Sequence, residues 1–222
     1  MKEILTYSLL YLVLFGFTDL LYHRLKVKVD YTRKIVHVCT GIIALTFPIF
    51  LKDIWQVALL CGSFLGLMAL SERFSWFKSI TAVERKSYGS WLFALSVLIC
   101  FIAMKRWGFE FYFLPILTLT TADPIAAIVG KRLNYKPMIV FGQVKTVGGS
   151  IAFFLTSIIT TVAFVEISRA YYYSGMFDIT ALGFFILMAL TATTAELFST
   201  KGWDNLTIPL SVIAMLLLYI LL

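Results

Sequence analysis

An all-α, polytopic membrane bundle of about eight transmembrane helices is the fold class that this sequence predicts, and three observations predict it. Of 222 residues, 60% are hydrophobic and only 14% are charged, a balance outside the range of soluble domains. Apolar stretches of about 20 residues, long enough to cross a hydrocarbon core of ~30 Å as helices, recur along the whole chain. The connections between them are short, the longest about 18 residues, so residues 1–222 read as a single integral membrane domain.

The first span covers about residues 4–22. It opens almost at Met1, but it lacks a small-residue cleavage site and runs into "HRLKVKVDYTRK", which predicts a retained span and not a removed signal peptide. The second, 35–51, follows Arg33 and Lys34. The third, 54–70, contains "GSFLG" (Gly62 to Gly66), which permits close helix packing within or between chains. The fourth, 89–104, follows "VERKSYGS", and the fifth, 111–130, contains "LTLTTADPIAAIVGKR". The sixth, 147–168, follows "FGQVKTVGGS", and the last two, 179–200 and 206–222, flank "STKGWDN". Cys39, Cys61 and Cys100 fall inside apolar runs without ligand-like spacing and read as small core residues.

A net charge of +7 would suggest nucleic acid as a partner for a soluble protein; here it is first a topology signal. Fourteen of the 19 Lys and Arg residues lie in the odd-numbered connections. By the positive-inside rule these connections are cytoplasmic and both termini lie outside. No nucleic-acid partner is expected, and nothing in the sequence names a protein partner. In this orientation Asp19, Asp123 and Glu196 fall toward the cytoplasmic ends of their spans. Asp123 is about twelve residues into its span, roughly 18 Å of helix. Intramembrane carboxylates are costly and usually face a bundle interior or wet cavity, so a functional site is expected there.

Asp123-Pro124 carries the order of a helix start, an N-cap followed by a proline at the first helical position. The fifth span is therefore expected to be broken at this point, exposing amides and a positive dipole end to a cavity. The bland alternative is a proline kink without chemistry. In "FGQVKTVGGSIAFF", Lys145, Thr146, Gly148, Gly149 and Ser150 have the composition of a phosphate cradle at a helix N-terminus, although the lysine precedes the glycines and the nucleotide-binding "GxxxxGK[ST]" order is absent. Gly-Gly-Ser also serves close helix packing. "YTRKIVHVCTG" puts Arg33, His37 and Gly41 on one helix face. Flanking cations there normally only snorkel, and "VERKSYGS", with Arg85, is the same kind of cationic shoulder. In "TAELFSTKGWDNLTIPL", Glu196, Asp204 and Asn205 are hard oxygen ligands suited to Mg²⁺, against the alternative of an ordinary helix-start turn. All of these stretches fall on the face assigned from Lys and Arg counts alone, and together they are the inventory for a nucleoside triphosphate and its metal.

In that order and at those intervals, "RKIVHVCTG", "ERKSYGS", "ADPIAAIVGKR", "KTVGGSIAF" and "AELFSTKGWDNLTIPL" resemble the polyprenol kinase family, which includes dolichol, phytol and farnesol kinases and CTP-dependent diacylglycerol kinases. The resemblance runs from about residue 30 to the end and leaves span one uncovered. It implies transfer of the γ-phosphoryl group, usually of CTP, to the hydroxyl of a membrane isoprenoid alcohol or diacylglycerol. It marks Arg33, Lys34, His37, Arg85, Asp123, Ala126, Gly130, Lys145, Gly149, Ser150, Glu196, Asp204 and Asn205. The expected roles are catalysis by Asp123 and Lys145; nucleotide binding by Arg33, Lys34, His37, Arg85, Gly130, Lys131, Lys145, Thr146, Gly148, Gly149 and Ser150; and Mg²⁺ binding by Asp123, Glu196, Asp204 and Asn205. Some phytol kinases have two acids before the asparagine, and Trp203 stands at the first of those positions here. Asp123 as metal ligand and Asp123 as general base stay open.

Two rival functions belong to other classes. A cytidylyltransferase making a CDP-lipid needs the same metal and nucleotide, but that family's closing "PGHGG" with an Asp-Arg pair is missing. A transporter would use a broken helix at the midplane, yet the halves show no inverted repeat. Acceptor identity and CTP against ATP are not written in the sequence.

Overall fold

The computed structural model describes residues 1–74, 87–172 and 181–222; Arg85, with Glu84 and Lys86, lies outside the described residues. Among the described residues the chain forms α1 (Lys2–Arg24), α2 (Val29–Leu45), α3 (Phe47–Phe50), α4 (Ile54–Phe74), α5 (Gly89–Trp107), α6 (Glu110–Leu133), β1 (Pro137–Val140), β2 (Gln143–Thr146), α7 (Val147–Tyr172), α8 (Leu182–Phe198) and α9 (Asp204–Leu221). Seven segments, 2–24, 29–50, 54–71, 89–107, 110–133, 147–170 and 204–221, are long and apolar enough to cross a membrane, and α8 is a shorter apolar helix of 17 residues. The protein is an integral membrane helix bundle, as its hydropathy predicts.

α6 is the central helix. It packs against α2, α5, α7 and α9, and Phe111, Tyr112, Leu114, Ile116, Leu119 and Ala122 are buried along it. α1 lies at the periphery, against α2 and only lightly against α4, with Leu5, Leu9, Val13 and Phe17 on its outward face. Such exposed apolar rows are what lipid-facing helices present.

The expected break at Asp123-Pro124 does not occur: α6 is continuous through both Pro115 and Pro124. A proline removes one intrahelical bond but does not end a helix held by neighbours on every side, and membrane helices tolerate it for that reason. Two such neighbour contacts lie about one turn before Pro124. His37 of α2 bonds through Nε2 to the Leu119 carbonyl at 3.1 Å. At Gly41, a Cβ would stand 2.1 Å from Thr120 Oγ1, so α2 and α6 approach as closely as a glycine permits. α6 ends at Asn134, in the left-handed region at φ 44°, with its N–H donating to the Gly130 carbonyl.

α2 begins at Val29, six residues before the apolar run, so Arg33 and Lys34 are helical. The other unforeseen element is the antiparallel hairpin β1–β2, in which Val140 pairs with Gln143 and Met138 with Lys145. Phe141 and Gly142, the two turn residues, both have positive φ, at 44° and 76°. That is the two-residue turn whose twist suits a hairpin, with phenylalanine in place of the usual asparagine.

Candidate active site

Among the described residues, the N-termini of α2, α5, α7 and α9, the C-terminal halves of α6 and α8, and the hairpin surround a cavity of about 1250 Å³ at one end of the bundle. Arg33, Lys34 and His37 of α2 line it, as do Asp123, Gly130 and Lys131 of α6. Lys145, Thr146, Gly149 and Ser150 close a second side, and Glu196, Asp204 and Asn205 a third. Residues up to about 170 positions apart in sequence thus share one space. Gly148 does not line it.

Asp123 is half-buried, with 25% of its side chain exposed, and His37 Nε2 lies 3.8 Å from its Oδ2. The His37 nitrogen that faces Asp123 also serves the Leu119 carbonyl, so His37 approaches the carboxylate without saturating it. Among the described residues, the other ionisable groups close enough to act on Asp123 include Asp204, Glu196 and Lys145. Two carboxylates and a cation around a half-open third carboxylate make a site that can hold a cation or accept a proton.

Lys145 projects from β2 and is fixed at its tip: Nζ donates to Oε1 of the buried Glu196 and, at 3.0 Å, to the Glu196 carbonyl. Buried ion pairs endure only when the geometry also satisfies the remaining hydrogen-bonding groups, and the second bond does that here. Glu196, expected among metal ligands, therefore has one of its oxygens committed to Lys145. This pairing joins residues 51 apart and had no local sequence signal.

The start of α7 is a capped helix end and not an open phosphate cradle. Thr146 Oγ1 accepts the Gly149 N–H at 3.0 Å, the Val147 N–H donates to the Lys136 carbonyl and the Gly148 N–H to that of Tyr135. With these three amides engaged, Gly148 and Gly149 serve packing. A Cβ on Gly149 would stand 3.0 Å from the Ala126 carbonyl, and one on Gly130 would stand 2.7 Å from Thr146 Oγ1 and 3.4 Å from the Gly149 Cα. The glycines bring α6 and α7 into backbone contact, which sets Lys145 opposite Asp123's helix.

At the third side, Asp204 Oδ1 accepts the Asn205 backbone N–H at 3.0 Å and its Nδ2 at 3.2 Å. Asn205 Nδ2 also donates to the Gly202 carbonyl, while its Oδ1 is buried without a hydrogen-bond partner. A buried amide oxygen left unpaired costs free energy unless a ligand takes it. Among the described residues no group of three His, Cys, Asp or Glu side chains encloses a metal. Mg²⁺ does not require one, since it characteristically takes one or two carboxylates and completes its shell with water and phosphate. Asp123, Asp204 and the unpaired Asn205 Oδ1 fit such an ion.

Sequence reasoning overlooked several lining residues. Ser87 accepts from Arg33 Nη2 at 3.0 Å and from the Gly89 N–H at 3.3 Å, holding that arginine at the cavity. Gly202, at φ 89°, lies so close to the start of α5 that a Cβ on it would stand 2.4 Å from the Gly89 nitrogen. Asp30 pairs with Lys131 at 3.0 Å across the rim. Ser87 was inside a quoted cationic stretch, and Gly202 beside Asp204; only their distant partners were invisible.

The chain is 32% identical over 183 residues to a phytol kinase from Synechocystis sp., across 82% of this chain and 76% of that protein. No protein-family profile matches it, and no solved structure does.

Proposed function

The chain belongs to the polyprenol kinase family, and from that premise we propose that it is a lipid-alcohol kinase, moving the γ-phosphoryl group of CTP to the hydroxyl of a membrane-dissolved isoprenoid alcohol, with phytol-like alcohols the first candidates. One observation carries the reading: a single cavity at one end of the bundle gathers Arg33, Lys34, Lys131 and Lys145 around Asp123, Asp204 and Asn205. The volume, about 1250 Å³, accommodates a nucleotide with an alcohol headgroup beside it. The positive-inside count assigns this end to the cytoplasm, where such nucleotides are found.

Phosphoryl transfer asks for positioning and charge stabilisation more than covalent chemistry. Arg33, held by Ser87, and Lys34 and Lys131 attract and orient the phosphates. Lys145, braced by Glu196, supplies a fixed positive charge for the charge that develops on the transferring group. Asp123, Asp204 and Asn205 would hold Mg²⁺, which would supply positive charge against the phosphates. The alcohol oxygen forms the new bond to γ-phosphorus as the bond to the β-bridging oxygen breaks, CDP leaves with that electron pair, and the hydroxyl proton passes to Asp123 or to solvent.

The test is label transfer from γ-labelled CTP or ATP by detergent-purified protein with Mg²⁺, across short and long prenyl alcohols, phytol and diacylglycerol. Label in one lipid class, abolished by Asp123→Asn in a folded protein, is the expected result. No labelled lipid, with pyrophosphate released once phosphorylated lipids are supplied, would replace the kinase with a cytidylyltransferase.

A further inference from the structure

Beneath the polar cavity lies a second, small cavity between α1, α2, α4 and α5, and the two share Thr40, Phe64 and Phe93 as walls. Its other walls include Tyr11, Cys61 and Val97. Thr40 is the polar residue among the shared walls, and its Oγ1 is spent on its own helix, within bonding reach of the Val36 carbonyl at 2.7 Å and the His37 carbonyl at 3.0 Å. It therefore offers no free donor to a guest. A water needs two to four polar partners, so this space suits hydrocarbon instead.

We propose that this second cavity takes the proximal part of the acceptor's hydrocarbon tail, with Phe93 and Phe64 as the collar between headgroup and tail. The inference rests on the lipid-alcohol reading above and names where the tail lies. The Phe93 ring stands edge-on to His37, with centroids 5.8 Å apart, and His37 faces Asp123. An alcohol oxygen at Asp123 thus has its first carbons at the collar. From Thr40 in α2 to Phe47 at the start of α3 the cavity runs along about 10 Å of chain, at ~1.5 Å per helical residue. The free space is about 30 Å³, because aromatic rings fill the rest: Phe64 lies 6.3 Å from Tyr11 and 5.7 Å from Phe15, ring to ring. A tail enters by displacing these rings. The remainder of a longer tail leaves between α1 and α4, the lightly packed seam, into lipid.

Full-length protein in detergent is photolysed with a prenyl alcohol carrying a diazirine near its hydroxyl end, and adducts are mapped by mass spectrometry. Adducts on Tyr11, Cys61 or Val97, competed by unlabelled alcohol, are expected; adducts confined to the outward faces of α8 and α9 would overturn the assignment. This readout needs no nucleotide, so adducts in the cavity without phosphoryl transfer from any nucleotide would remove the kinase reading and keep the tail site. A second arm fills the space: Ala94→Phe, at a small residue of the cavity wall, lowers kcat/KM for a long isoprenoid alcohol about tenfold more than for a single-isoprene alcohol. Equal losses on both would overturn the proposal.

Discussion

The α6–α7 contact borders the polar cavity and the α1–α4 contact the apolar one next to it, and the two are built in opposite ways. α6 and α7 meet at Gly130 and Gly149, backbone close to backbone, with the Thr146 hydroxyl the side-chain group wedged beside them. α1 and α4 meet through the rings of Tyr11, Phe15 and Phe64, whose centroids lie 6.3 Å (Phe64 to Tyr11) and 5.7 Å (Phe64 to Phe15) apart. For the proposed transfer, the helices that carry Asp123 and stand beside Lys145 are the ones that need to be fixed, since a drift of about 1 Å can cost about 10²-fold in rate. The wall that the proposed tail would pass is made of aromatic side chains and not of backbone. Rigidity and access are thus separated by residue size.

Breaking the rigid contact has the largest expected effect. Gly149→Val drives a branched side chain into the Ala126 carbonyl and should cost about 2–3 kcal/mol, with activity lost alongside; thermal unfolding in detergent measures it, and wild-type stability would show that the helices can separate freely. Asp123→Asn should leave unfolding unchanged while lowering kcat by about 10²- to 10⁴-fold. Glu196→Gln comes next, and a double-mutant cycle with Lys145→Ala sharpens it. If Glu196 acts only by holding Lys145, the second substitution costs little once the first is made; additive losses in kcat would return Glu196 to the metal. Phe64→Leu, on the loose side, should shift stability by less than about 1.5 kcal/mol. Lys131→Ala, at the exposed rim pair with Asp30, should raise the nucleotide KM about two- to threefold and leave unfolding where it was.

Most of the bundle was legible because hydropathy and span length are dictated by the bilayer, and seven of the eight marked spans recur as helices long enough to cross it. The gathering of Arg33, His37, Asp123, Lys145 and Asp204 was legible too, since charge asymmetry assigned their segments to one end. What escaped was non-local or weakly encoded. Asp-Pro carries the chemistry of a helix start, and only the packing of α2 and its neighbours against α6 keeps that helix whole. Four-residue strands joined by Phe-Gly give little period-two signal against the surrounding apolar runs. Thr-x-x-Gly reads as a cap only once the hairpin has turned Thr146 toward the Gly149 amide. The Lys145–Glu196 pair needs the folded bundle before it exists at all.

The contact between Gly89 and Gly202 bears on how the molecule can change over evolutionary time. These two loops touch at backbone atoms, with the Tyr88 N–H donating to the Lys201 carbonyl beside them. Neither glycine touches the chemistry through a side chain, yet any Cβ on Gly202 meets the main chain of Gly89, and one on Gly89 would stand 2.9 Å from Asn205 Nδ2. In a set of homologues Gly202 should vary least, and Gly89 only with Asn205. Invariance there would record a joint between the first turn of α5 and the loop before α9, and mistaking it for a mark of catalysis would misassign two residues whose contribution is to be small.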